Sequence, residues 1–189
     1  EDDTRRFRHD IENHLLCLDE LAGQGDIARL KQYLHNMSGQ KKKIRNMLYT
    51  TGNTFVDVIL NDKIEQLEKE ATITVRGIFP PKLNLLEMDI CTIFSNLFQN
   101  AVEEINQQEE GWLKVVVQSG KQYTEIVIQN SARGEITLDK NGLPYTVKDN
   151  KKNHGLGLQN VKAAVEKNNG RLIIYSKRDS FEVKIQFHN

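Results

Sequence analysis

The chain has 189 residues, 38% of them apolar, which is enough for one ordinary domain with its own core and a smaller accessory unit. Its 26 basic and 26 acidic residues cancel, so no overall basic charge would hold it on nucleic acid or on an anionic membrane surface. No apolar run reaches the roughly 18 residues that span a bilayer. The two cysteines, Cys17 and Cys91, show no zinc-ligand spacing, and we expect buried free thiols in a reducing compartment.

The first part of the chain, residues 1–53, predicts two helices joined by a short turn. The segment 23–26 interrupts a three-four spacing of apolar residues, and its last residue, Asp26, fits an N-cap. The first stripe contains Phe7, Ile11, His14, Leu18 and Leu21, and the second contains Ile27, Leu30, Leu34, Met37, Ile44 and Leu48. Such a hairpin has too little core to stand alone, so we expect two copies to pair into a dimeric four-helix bundle. The alternative is that the hairpin packs on the rest of its own chain.

The second part, residues 54–189, predicts an α+β sandwich. Thr54 with Asp57 resembles a capping box and starts a helix that runs to roughly Lys69. Further elements follow in this order: a strand over 73–78, a helix around 90–101, a strand hairpin over 112–118 and 123–129, a helix over 156–168, and strands over 171–176 and 181–187. Antiparallel strands dominate, with the helices on one face of the sheet. The polar segment 131–154 is too long for a passive connection and predicts a lid or a binding loop.

Three polar residues of the helix around 90–101 share one face. Asn96, Asn100 and Glu103 stand four and three residues apart. A carboxamide oxygen is a neutral ligand that can complete a Mg²⁺ shell when phosphate oxygens and water supply the rest. The set therefore suits a metal-phosphate site, and the alternative is a solvated polar face.

A glycine-containing segment, His154-Gly155-Leu156-Gly157-Leu158, lies directly before the next helix. Glycines at a helix start allow backbone amides to approach a phosphate at the positive end of the helix. The segment is neither a Rossmann fingerprint nor a Walker loop. The alternative is a plain helix start with flexible glycines.

A histidine near the start of the chain is predicted to face water. At ~100° per residue, His9 lies about 200° from Phe7 around the helix, whereas His14 falls in the apolar seam and would meet its symmetry mate. Asp10 can orient the His9 ring and accept its proton, and Asn13 shares the exposed face. The alternative is an ordinary surface histidine.

Taken in chain order, the exposed histidine, the polar helix face and the glycine-containing segment together resemble the sensor histidine kinases. Within that family they resemble the Agr-type, peptide-sensing quorum kinases with the GHKL (Bergerat) ATP-binding fold. The resemblance covers nearly the whole chain. Arg8-His9-Asp10 followed by Asn13 resembles the phosphoacceptor box of that group. Asn96-x-x-x-Asn100-Ala101 with Glu103 resembles its N box, and Gly155-Leu156-Gly157-Leu158 resembles its second glycine box.

The resemblance implies that ATP and Mg²⁺ bind to the second unit. It implies Asn100 as the Mg²⁺ ligand, Asn96 beside the phosphates, and the amides of Gly155 and Gly157 at the triphosphate. In most histidine kinases an aspartate in a DxGxG box accepts a hydrogen bond from the adenine amino group. The matching strand end here reads Gln129-Asn130-Ser131-Ala132, so the side-chain oxygen of Asn130 is the substitute acceptor.

The lid expected over 131–154 contains three lysines, Lys148, Lys151 and Lys152. Their charges could neutralise phosphate, although a solvated lysine run is the alternative for at least two of them.

The reaction that the resemblance implies is transfer of the γ-phosphoryl group of Mg-ATP to His9 and then to an aspartate of a response regulator. It also implies a membrane-embedded sensor upstream of Glu1 and a cytoplasmic location for this part. A phosphotransfer adaptor with a degenerate, non-binding ATP domain is one rival, favoured by Asn130. A GHKL ATPase or protein-serine kinase, which would not need His9, is the other.

Overall fold

A computed structural model of the chain describes residues 2–38, 47–81, 83, 85–140, 142–144 and 156–188. The chain divides into two units, residues 1–44 and residues 45–189. Its architecture is α+β, with a helical hairpin followed by a five-stranded sheet and its helices, which confirms the predicted fold class. No helix within the described ranges is long and apolar enough to cross a membrane.

The first unit is a hairpin of helices α1 (Asp2–Gly23) and α2 (Ile27–Ser38). The carboxylate of Asp26 accepts a hydrogen bond from the backbone N–H of Arg29 at 3.0 Å, as expected of an N-cap. Leu21 is the only buried hydrophobic residue among the described residues of this unit. The single hairpin therefore leaves apolar side chains exposed: Phe7, Leu15, Leu16, Ile27, Leu34 and Met37.

The second unit contains three helices and five strands among its described residues. They are α3 (Thr54–Ile64), β1 (Ala71–Arg76), α4 (Glu87–Asn106), β2 (Gly111–Ser119), β3 (Tyr123–Ser131), α5 (Leu156–Lys167), β4 (Arg171–Ser176) and β5 (Ser180–His188). The sheet order is β1-β2-β3-β5-β4; β1 pairs with β2 in parallel and the other pairs are antiparallel. The predicted hairpin of β2 and β3 and the predominance of antiparallel pairs are confirmed.

One face of the sheet forms the core with the helices. Alternate residues of the strands are buried, as a period of two requires when one face is covered. On β2 these are Leu113, Val115 and Val117. Phe94 and Phe98 of α4 are fully buried in the same cluster, with Val161 and Val165 of α5. This core holds α4 and α5 side by side above the sheet.

Both cysteines are free, but the expectation that they are buried is wrong for Cys17. Cys17 is exposed on α1, and Cys91 is half-buried on α4. A helix in a hairpin faces only one other helix, so a residue beside the apolar stripe stays in contact with solvent.

The segment before α3 belongs to the second unit. The backbone N–H and the hydroxyl of Thr51 both donate to the Asp57 carboxylate at 2.6 Å. The side-chain oxygen of Asn61 accepts from the backbone N–H groups of Leu48 and Tyr49 at 2.9 and 3.1 Å. The division between the units therefore falls before this segment, whereas the sequence placed it after residue 53.

The predicted capping box of Thr54 and Asp57 is wrong. Asn53 is the N-cap of α3, and its side chain accepts from the N–H groups of Phe55 and Val56. The Asp57 carboxylate instead binds Thr51, and α3 ends at Ile64 rather than near Lys69.

Strand β1 ends two residues earlier than predicted. Gly77 follows Arg76 with a φ of 82°, in the left-handed region that turns the chain away from the sheet. A side chain at this position would overlap the backbone carbonyl of Val117.

Asp89 joins the start of α4 to the end of α5. Lys167 donates to both carboxylate oxygens at 3.1 Å, and the amide of Asn168 donates at 3.0 Å. These hydrogen bonds, that of Asn168 first, hold the pKa of Asp89 below its usual value.

We expect Asp89→Asn to lower the thermal midpoint of unfolding by a few degrees at neutral pH. Because the pKa of Asp89 is lower in the folded protein than in the unfolded chain, where it is about 3.9, the ionised carboxylate stabilises the fold fully above that pH. This stabilisation is lost as the pH falls through the lower pKa of the folded protein. The difference between parent and variant should therefore shrink in acid, which thermal unfolding at about pH 7 and about pH 3 would measure. Asp19→Asn, on the exposed face of α1, is the control. An equal loss at both pH values would contradict this prediction.

Candidate functional site

A cavity lies between the polar face of α4, the ends of β3 and β5, and the start of α5. It brings together three residues from separate parts of the sequence that were expected to act together: Asn100, Asn130 and Leu158. Glu103, also expected, lines it as well. The other lining residues are Leu97, Glu104, Gln107, Ile128, Ala132, Ile136, Pro144, Phe181 and Val183.

Asn100 presents an amide to this cavity. Within the described residues, no hydrogen bond is formed by its side chain, which is half-buried. A carboxamide oxygen without a donor is suited to bind a hard cation such as Mg²⁺. No group of three or more histidine, cysteine, aspartate or glutamate side chains in the described ranges is arranged so that it could hold a metal ion. A cation at Asn100 would thus need further oxygens from a phosphate ligand and water.

Asn130 lies at the end of β3 with 4% of its surface exposed. Its amide nitrogen donates to the backbone carbonyl of Ser131 at 2.8 Å. Because the nitrogen is bound in this way, the side-chain oxygen is left as the acceptor, and no donor among the described residues reaches it. The role of this oxygen as the acceptor for an adenine amino group stays a prediction.

The Ser131 carbonyl is held from a second direction. Gln108, at the end of α4, donates to the same oxygen at 3.0 Å. The hydroxyl of Ser131 accepts from the backbone N–H of Trp112 at 3.1 Å. The strand end that carries Asn130 is therefore bound to both α4 and β2, and neither Gln108 nor Ser131 was identified from the sequence as a contributor.

Asn96 lies one turn before Asn100, but it is not among the residues that line the cavity. Its amide nitrogen donates to the carbonyl of Thr92 at 2.7 Å. Its oxygen lies against Gly157, in the first turn of α5. Of the three residues predicted to share a face, Asn100 and Glu103 line the cavity, whereas Asn96 contacts α5.

Two glutamates of α4 line the cavity. Glu103 accepts a hydrogen bond from the side chain of Gln99 at 2.7 Å. Glu104, which the sequence did not single out, accepts from the backbone N–H of Arg133 at 3.1 Å and so contacts the segment after β3. The signal that could have identified Glu104 and Gln107 is their helical spacing from Asn100.

The glycine-containing segment is described only in part. Leu156 is exposed, Gly157 is half-buried, and Leu158 is buried against the cavity. The expected ligand residues Lys152, His154 and Gly155 lie outside the described residues, and so do Lys148 and Lys151.

His9 stands on the exposed face of α1, as predicted. Its side chain is 72% exposed. The amide nitrogen of Asn13 donates to Nδ1 of His9 at 3.2 Å, and the Asp10 carboxylate lies 3.9 Å from the same nitrogen. No partner of Nε2 occurs within the described residues, so this nitrogen is accessible from solvent.

His14 lies in the seam of the hairpin. Its Nδ1 forms a hydrogen bond of 2.9 Å with the hydroxyl of Tyr33, and the two rings are in edge-to-face contact. A hydrogen bond with Cys17 raises the pKa of Tyr33, with burial as a smaller cause. His14 is thus half-buried, as its position in the apolar stripe indicated.

Comparisons with known proteins agree with this architecture. A family model described as the GHKL domain matches residues 85–188. No curated protein matches the chain. Solved structures of histidine kinases share the fold at low sequence identity. The mycobacterial sensor histidine kinase MprB has 18% identity and a TM-score of 0.55, covering 71% of this chain and 93% of that one.

The catalytic domain of histidine kinase ThkA has 16% identity and a TM-score of 0.58, covering 74% of this chain and 93% of that one. The histidine kinase AdeS of Acinetobacter baumannii has 16% identity and a TM-score of 0.52, covering 95% and 97%. At these identities the likeness establishes the fold.

Proposed function

The chain belongs to the GHKL domain family, and we propose that it is an ATP-dependent protein-histidine kinase of a two-component system. One observation carries this proposal. Asn100 and Asn130, whose side-chain oxygens accept no hydrogen bond from the described residues, both line a single cavity beside the start of α5. A nucleoside triphosphate such as ATP has a partner for each asparagine. The amino group of its base can donate to Asn130, and Mg²⁺ bound to its phosphates can take the Asn100 oxygen as a ligand.

In this proposal, Asn130 accepts a hydrogen bond from the amino group of adenine. Asn100 holds Mg²⁺ together with phosphate oxygens, and the ion supplies charge neutralisation at the phosphates. Asn96 lies beside the phosphates, and the start of α5 presents backbone N–H groups to them. The residues Lys152, His154 and Gly155 complete the expected nucleotide contacts, with Glu103 near the transferred group.

The phosphoryl acceptor is Nε2 of His9. Its lone pair forms a bond to the γ-phosphorus as the bond to the bridging oxygen of ADP breaks. This step needs the ring tautomer with its proton on Nδ1, in which the exposed Asn13 side chain turns its oxygen instead of its amide nitrogen toward Nδ1. After the attack the ring loses that proton, and the Asp10 carboxylate, 3.9 Å from Nδ1, is within reach to accept it. The group passes next to an aspartate of a response-regulator receiver domain.

Incubation with labelled ATP and Mg²⁺ tests the function. A phosphohistidine gives protein-bound label that is labile in acid and stable in base. Phosphate release without protein label would indicate an ATPase instead, and acid-stable label would indicate a serine kinase. A protein that binds no ATP would support the phosphotransfer adaptor.

The arrangement Arg8-His9-Asp10, together with Asn130 in place of aspartate, favours the Agr-type, peptide-sensing group of these kinases. As a member of that group, the chain would be the cytoplasmic part of a membrane-anchored sensor.

We also propose that the protein is a homodimer through α1 and α2. The support is the exposed apolar surface of the hairpin, including Phe7, Leu16 and Ile27, which a second copy of matching period would cover.

The whole chain should therefore sediment as a dimer, and a chain beginning at Met47 should be a monomer. A chain beginning at Thr54 should also be monomeric but less stable by about 2 kcal/mol or more, because it loses the Asn53 cap and leaves Asp57 without Thr51. Analytical ultracentrifugation and chemical denaturation measure both effects. Dissociation of the whole chain into monomers at high micromolar concentration would exclude the dimer, and equal stability of the two shortened chains would contradict the role of segment 47–53.

A further inference from the structure

Gly157 occupies a position whose backbone does not require glycine. It is the second residue of α5, and its φ is not in the left-handed region. Any residue adopts such a helical conformation, and alanine has a higher helix propensity than glycine. What a side chain at this place would disturb is therefore decided by the groups packed around it.

The space is occupied by the carboxamide of Asn96. A Cβ added to Gly157 would lie 2.9 Å from the side-chain oxygen of Asn96, closer than two such atoms approach. The amide cannot turn aside freely, because its nitrogen is bound to the Thr92 carbonyl at 2.7 Å. A methyl group at 157 would therefore displace the Asn96 oxygen and disturb this hydrogen bond, or move the two helices apart.

Separation of the helices is resisted at two places. At the far end of α5, Lys167 and Asn168 are bound to Asp89 of α4. Near Gly157, the side chains of Leu158 and Val161 are buried in the core. The Asn96 amide is the group that is easiest to displace.

We propose that Gly157 is a positioning residue that acts through Asn96: the missing side chain at 157 keeps the Asn96 amide bound to Thr92, with its oxygen toward the first turn of α5. The consequence for catalysis rests on the proposed function, in which Asn96 lies beside the phosphates. The glycine then serves the N-box asparagine and not only the approach of a phosphate to the backbone.

The first test needs no nucleotide. In the whole ¹⁵N-labelled chain, the side-chain NH₂ resonances of Asn96, identified by their loss in Asn96→Ala, should shift in Gly157→Ala and exchange faster with solvent. Gln159→Ala, on the exposed face of α5, should leave them unchanged. Unchanged Asn96 resonances in a folded Gly157→Ala protein would overturn the proposal.

The second test is a double-mutant cycle read by calorimetry with Mg-ATP, with thermal unfolding as the check of folding. Gly157→Ala should weaken binding about threefold to tenfold, the net value of one neutral hydrogen bond, because the Asn96 amide loses the bond to Thr92 that fixes it. In the Asn96→Ala background the same substitution should have no further effect. If the affinity losses of the two single variants multiplied in the double variant, Gly157 would act on the nucleotide independently of Asn96, and the inference would fail. If the parent bound no Mg-ATP, the proposed function would fail, and the resonance test would still decide the inference.

Discussion

We expect the Asn100→Ala protein to fold like the parent and to lose autophosphorylation by at least about a hundredfold, the scale observed when one preorganised electrostatic contact is removed from an active site. The fold should persist because the Asn100 side chain forms no hydrogen bond within the described part of the chain. The activity should be lost because the variant removes the oxygen that would hold Mg²⁺ beside the phosphates, and the amide of Gln107, which also lines the cavity, lies two helical turns further along the chain. Asn100→Asp should be inactive too, since it adds a negative charge beside Glu103 and Glu104.

Calorimetry with Mg-ATP and the rate of label incorporation measure this effect. Asn106→Ala is the matched control on the same helix. The Asn106 amide accepts from the backbone N–H of Glu68 at 3.0 Å and donates to the carbonyl of Gln66 at 3.2 Å. This control should lower the thermal midpoint and keep nucleotide affinity. An Asn100→Ala protein that binds and uses Mg-ATP like the parent would show that the N-box assignment is wrong.

The second large effect separates two histidines of α1. His9→Gln should remove all acid-labile, base-stable label while dimerisation and ATP binding persist, because the His9 ring is exposed and its polar contacts within the described residues are with Asn13 and Asp10 on α1. His14→Gln should instead lower thermal stability, because the contact with Tyr33 in the seam is lost. Label should then fall only as far as folding is disturbed.

Asp10→Asn refines this prediction. The amide can still contact the ring, but it cannot take the Nδ1 proton, so transfer should become slower by about 10²-fold without being abolished. Label that survives in His9→Gln and disappears in a well-folded His14→Gln would reverse the assignment of the phosphoacceptor.

The order of elements in the second unit could be predicted because each one depends on local pattern. The spacing of Ile90, Ile93 and Leu97 predicts α4, and the alternation in β2 and β3 predicts their hairpin. The end of α5 at Asn169 and Gly170 follows from the residues themselves, since Asn169 adopts a φ of 54° and Gly170 donates to the carbonyl of Val165.

Polar contacts between distant residues could not be predicted in this way. The sequence pairs Asp57 with Thr54, three residues away, whereas the structure pairs it with Thr51 in the preceding segment. Gln108 contributes to the site through the Ser131 carbonyl, 23 residues further along the chain. A carboxylate or an amide binds whichever donor the fold brings closest, and periodicity contains no information about that partner.

By itself, the sequence determined the α+β class, the stripe that separates His9 from His14, and the shared face of Asn96 and Asn100 on one helix, because these depend on the repeat of a single helix or strand. Only the tertiary structure decided that Asn130 lines one cavity with Asn100 and that the Asn96 oxygen lies against Gly157. The orientation of an amide depends on which of its two ends finds a partner. The two nitrogens bind carbonyls close in the chain, those of Ser131 and Thr92, and the packing of α4 and α5 on the sheet sets what lies opposite each oxygen.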